Sequence, residues 1–169
     1  MKKDIWKDLF DHKRLRRILL YGVYLFLVLV LQNIVFTQLR PLGVCPFVLP
    51  AAVAAVGMFE GSIFGAVFGL VMGVFTDMFD PGTVVMYTVL FPVLAFGVGF
   101  VSQFFINRRL PGFMICSAAV LLVTGAVQVI SLALTDVFSM SLVWTAVLQT
   151  LWSLPPAVLV YFPPERWIE

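Results

Sequence analysis

Six stretches of the chain are almost wholly apolar, at about 18–39, 44–59, 61–79, 83–106, 112–134 and 140–162, and short polar stretches separate them. Apolar runs of this length predict membrane-crossing helices. Residues 44–79 do not fit one helix. At about 1.5 Å per residue it would be roughly 54 Å long, against a hydrocarbon core of roughly 30 Å. A break near Glu60 and Gly61 gives two short helices and a tight hairpin, and a re-entrant pair is the alternative. The predicted fold is an all-α polytopic membrane protein, a six-helix transmembrane bundle over residues 18–162. A basic cytoplasmic segment, 1–17, precedes it and a cytoplasmic tail, 163–169, follows.

Within the second and third runs the pattern changes from bulky to small. Gly57, Gly61, Gly65, Gly69 and Gly73 recur every fourth position, five of the chain's twelve glycines, and the run closes on Asp77. Residues four apart in a helix are offset by roughly 40°, so the ladder forms one slowly winding stripe. In lipid, helices gain little by hiding apolar surface from one another. Close backbone approach supplies the contact energy instead, and small residues permit it. Gly61, Gly65, Gly69 and Gly73 are therefore candidate helix-packing or partner-binding positions. The stripe suits a partner helix within this chain or in another chain, and the need to pack six spans favours the first.

Charge sets the orientation. Ten of the eleven Lys and Arg residues fall on one side if the N-terminus is inside, and only Arg40 falls outside. That split is the one the positive-inside rule expects of six spans with both termini cytoplasmic. The formal charge of +2 is thus a topology signal and not a nucleic-acid footprint. The first residues do not read as a cleavable signal, since no small-residue cleavage site follows the apolar run. Residues 1–17 suit an amphipathic surface helix, with Trp6 dipping into the interface and Lys13, Arg14, Arg16 and Arg17 meeting anionic headgroups. A plain topogenic flank explains the same residues equally well.

At 62% hydrophobic and 12% charged, the chain carries about half the charge of a soluble domain. Every loop is short, which leaves no room for a soluble catalytic domain. No metal or cofactor is expected: the single histidine, His12, is in the N-terminal segment, and no nucleophile–base pair is in reach. Cys45 and Cys116 are expected near opposite membrane faces and so to be free thiols. Polar residues within the spans, Gln32, Asn33 and Gln128 above all, read as interhelical hydrogen-bonding groups. Pro46, Pro50 and Pro92 are expected to interrupt or kink their helices, and Pro155 with Pro156 to break the last. Glu60 suits the N-terminus of the third span. Asp77 sits at the unfavourable end of its own helix dipole, with Arg40 as a candidate ion-pair partner, and Asp80 reads as turn chemistry.

A first span ending in "LQN", a second containing "CPFVLP" and a third reading "EGSIFGAVFGLVMGVFTD" together resemble MreD, a family of small membrane subunits of the bacterial rod-shape machinery. Gln32, Pro46, Gly61, Gly65, Gly69, Leu70, Gly73 and Asp77 carry the resemblance. The chain departs from it at Glu60, where an arginine–glycine pair is common, and at Phe47, where an aspartate is usual. The resemblance implies a non-catalytic scaffold in the bacterial inner (cytoplasmic) membrane. It would bind MreC and the peptidoglycan polymerase and transpeptidase of side-wall growth, with the actin-like MreB a candidate for the N-terminal segment. It also implies a fold similar to the substrate-binding S-subunits of energy-coupling-factor transporters. That keeps a second expectation in view, a small-solute-binding subunit with a polar cavity near Gln32, Asn33 and Gln128.

Overall fold

The structure is a computed structural model that describes residues 12–36, 38, 44–79, 85–104, 110–133 and 140–161. Trp6, Arg40, Asp80, Arg108, Arg109, Asp136 and Arg166 lie outside the described residues, as do the side chains of Lys13, Arg14 and Arg17. Among the described residues there are six α-helices and no strand. They are α1 (His12–Val30), α2 (Leu49–Glu60), α3 (Ser62–Phe79), α4 (Met86–Phe104), α5 (Leu110–Ala133) and α6 (Met140–Val160). α1 continues into a π-helical stretch, Leu31–Phe36.

Five of the six helices are long and apolar enough to cross a membrane. The chain is thus built as a multi-pass membrane protein. Large apolar side chains on each of them point outward, among them Phe26, Ile63, Val89, Ile115 and Leu151. In water such a surface would drive aggregation, whereas a bilayer solvates it.

The second apolar run behaves differently from the other five. Its first residues, Val44–Val48, are not helical, and α2 spans only twelve residues. At about 1.5 Å per residue α2 is roughly 18 Å long, too short to cross alone. The correction to the expected 44–59 helix has a compositional cause. α2 reads LPAAVAAVGMFE, and all of Leu49–Phe59 is buried. A helix that is apolar all round and small-sided belongs at the centre of a bundle, where five others can close on it. α2 touches every other helix. Its backbone is hidden from lipid, so the non-helical run before it is tolerated at membrane depth, because protein groups bind it.

Pro92 lies inside α4, and Pro155 and Pro156 lie inside α6, which continues to Val160. The expected break at Pro155–Pro156 therefore does not occur. Each proline removes one amide donor, but packing on neighbouring helices holds the segment helical, as is common in spans. Cys45 and Cys116 are both free.

Candidate functional site

The glycine stripe is divided by the hairpin break. Gly61 has φ +95°, a conformation open to glycine and strained for other residues, and it ends α2 just before α3 begins. Gly57 is thus on α2 and Gly65 on α3, and the chain folds so that they face each other. A Cβ built on Gly65 would lie 2.5 Å from the Gly57 Cα, a separation that real side chains do not show. Gly61 itself takes no part in this packing, since its Cβ would meet only the Gln103 amide at 3.4 Å.

Beyond Gly57 the stripe runs down α4. A Cβ on Gly69 would sit 2.8 Å from the Phe91 carbonyl oxygen, and one on Gly73 would sit 2.7 Å from the Thr88 Cα. On α2, a Cβ at Gly57 would lie 2.5 Å from the Ala95 carbonyl oxygen. The contact is reciprocal, because a Cβ on Gly99 would be 2.6 Å from the Ser62 Cα. Each step of four along α3 is thus met by a step of four back along α4, in antiparallel order. The α3–α4 pair is the most extensive in the bundle. The glycine face is filled by this chain's own backbone.

Asp77 fastens the far end of the same pair. Its Oδ1 accepts the Tyr87 amide at 3.1 Å, and its Oδ2 accepts the Thr88 amide at 2.8 Å and the Thr88 hydroxyl at 2.6 Å. A carboxylate near the C-terminus of its own helix is poorly placed, but here it caps the N-terminus of the next, where the dipole favours it. Val85, at φ +62°, sits immediately before the capped helix. Glu60 marks the opposite end of the hairpin, where it accepts a hydrogen bond from the Tyr21 hydroxyl.

Gln32 secures the non-helical run. Its Nε2 donates to the Pro46 carbonyl at 2.9 Å, and its Oε1 accepts the Val48 amide at 2.9 Å. The side-chain amide thereby satisfies two backbone groups that no helix ladder pairs. The adjoining amide, Phe47 N–H, donates to Ser153 Oγ on α6 at 2.8 Å. Gln32 lies in the π-helical stretch, whose extra residue per turn shifts the face presented by the end of α1. Asn33 is exposed and donates to Leu29 O of its own helix at 3.0 Å. Gln128, on α5, donates to the Tyr87 hydroxyl at 2.5 Å. Arg16 is exposed on α1.

A cavity of about 160 Å³ lies at this end of the bundle, between the close of α1 and α3 and the start of α2 and α4. Gln32, Asn33, Thr76 and the Tyr87 ring form part of its wall, with Phe47 and Phe79. Gln128 reaches it only through Tyr87 and lines a separate, much smaller space near Ser153. Among the described residues no group of His, Cys, Asp or Glu is placed to hold a metal.

Several of these joints left no clear trace in the sequence. Ser153, Thr88 and Gly99 stand apart from the motifs, and Tyr21 is separated from Glu60 by thirty-nine positions. Comparison with known proteins gives no match: no family model, no curated protein and no solved structure matches the chain.

Proposed function

We propose that this chain is a non-catalytic membrane subunit of the bacterial cell-elongation machinery, of the MreD type, lying in the cytoplasmic membrane with both termini inside. One observation carries the reading. Most of the residues behind the resemblance in sequence make the joints of the bundle: Gln32 holds Pro46, the Gly65–Gly73 stripe seats α4, and Asp77 caps it, while Gly61 forms the turn before α3 and Leu70 faces outward. A motif that builds one rigid body suits a scaffold, whose task is to present a fixed surface to other membrane proteins.

On this reading MreC and the wall polymerase and transpeptidase dock on the outward faces of the long helices, because the glycine face is already filled. Co-purification from native membranes in mild detergent, with the bound partners identified by mass spectrometry, tests it. Recovery of MreC, with or without the wall synthases, is the expected result. Recovery of paired ATPases and a coupling membrane subunit would overturn it.

A second reading, a solute-binding subunit with a fold like that of energy-coupling-factor S-subunits, is favoured by the cavity beside Gln32 and Asn33. A discontinuous second segment whose half-helix begins at a cavity is a common way to build a solute site in a membrane.

A further inference from the structure

The end of the bundle where Asp77 and Gln32 act combines three features that packing alone does not require. The second segment is unwound there, α1 changes to a π-helical stretch there, and a cavity of about 160 Å³ remains between them. Cavities of about 150 Å³ are large enough to take a benzene-sized molecule. The wall chemistry limits what the occupant is. Among the described residues no charged side chain lines the cavity, and Phe47, Phe79 and Tyr87 supply aromatic surface. An ionic solute would lose its hydration without compensation, so the occupant is uncharged.

The polar wall is narrow in what it offers. Both ends of the Gln32 amide hold backbone groups of the non-helical run, which fixes its orientation. Thr76 is buried and donates its hydroxyl proton to Met72 O at 2.8 Å, which leaves the oxygen as an acceptor. Asn33 uses its Nδ2 on Leu29 O, and its carbonyl oxygen is the second acceptor. The wall therefore matches a small molecule with a flat apolar body and one hydrogen-bond donor.

We propose that this cavity is a binding site for a neutral aromatic molecule of about the size of phenol, held among Phe47, Phe79 and Tyr87 with its donor on Thr76 or Asn33. The inference goes beyond the scaffold reading and sharpens the solute-binding one, on which its biological use rests. A bound molecule here would touch the ends of four helices and would favour the arrangement in which the α3–α4 hairpin and the non-helical run are closed together.

The test uses the purified full chain in detergent micelles, with para-fluorophenol as probe and fluorine NMR as readout. Wild type gives a saturable component above the linear uptake of phenol by micelles. Thr76→Val, which keeps the shape and removes the acceptor, weakens that component about fivefold, the worth of one neutral hydrogen bond. Asn33→Leu, at an exposed position, provides an independent second variant and weakens it where the donor rests on Asn33 instead, and para-fluorobenzoate does not displace the probe. Purely linear uptake, a saturable signal unchanged by both variants, or displacement by the anion would each overturn the proposal. Recovery of wall-synthesis partners is measured separately, so loss of probe binding and loss of the scaffold reading are distinct results.

Discussion

Asp77 lies at the close of α3, and its Oδ2 receives both the amide and the hydroxyl of Thr88 on α4, at 2.8 and 2.6 Å. The carboxylate that is misplaced for one helix is well placed for the next. Asp77→Ala removes all three hydrogen bonds to α4 and should cost about 2 kcal/mol, at the upper end for a lost N-cap because a charge is involved. Asp77→Asn keeps one acceptor and should fall between. Thr88→Val in the Asp77→Ala background should add almost nothing, since the two residues act as one unit. Thermal unfolding in micelles measures all three, and fully additive losses would show that the two side chains do not share a bond.

Gln32 and the non-helical run make a second such unit. Gln32→Leu keeps the bulk and strips the partners from Pro46 O and Val48 N, two buried backbone groups. The expected loss is about 3 kcal/mol, from roughly 1–3 kcal/mol for each orphaned group. Hydrogen exchange gives the local readout: the Val48 amide should lose protection in Gln32→Leu, while the Phe47 amide, held by Ser153, should lose it in Ser153→Ala. Unchanged exchange at Val48 would mean that the clamp is not formed.

At the other end of the hairpin, Tyr21 donates to Glu60. Glu60→Gln keeps an acceptor and should leave the melting temperature near wild type. Tyr21→Phe should lower it by the equivalent of about 1 kcal/mol, one hydrogen bond's net worth. A larger effect of Glu60→Gln than of Tyr21→Phe would place the main role of Glu60 in its charge.

Much of the fold is legible in the chain because its strongest signals are local. Apolar length marks six runs, of which five are long enough to span and the second holds the short, buried α2, and the Glu60–Gly61 step marks a break that the geometry of Gly61 requires. The glycine period shows that a backbone will come close without naming the backbone. Its partner edge of α4 is small at Ala95 and Gly99 but bulky at Tyr87 and Phe91, and there it offers its main chain, which no side-chain pattern reveals. The same applies to the non-helical run. "CPFVLP" carries two prolines, which argue against a helix, but the groups that satisfy it come from Gln32 and Ser153, fourteen and 106 positions from their partners. The cavity is a remainder left by packing, and only two of its polar wall residues, Gln32 and Asn33, stand out along the chain.

The glycines give the most direct comparison, since they differ in surroundings and in nothing else. A Cβ at Gly69 meets the Phe91–Pro92 backbone at 2.8–3.0 Å, whereas one at Gly97 on α4 meets nothing within 4 Å. Gly97→Ala should leave stability unchanged or raise it slightly through helix propensity, by up to about 1 kcal/mol. Gly69→Ala must push α3 from α4 and should lower the melting temperature of the full chain in micelles well below wild type. Equal melting temperatures for Gly69→Ala and Gly97→Ala would contradict the central claim, that the glycine stripe is a seam closed within this chain.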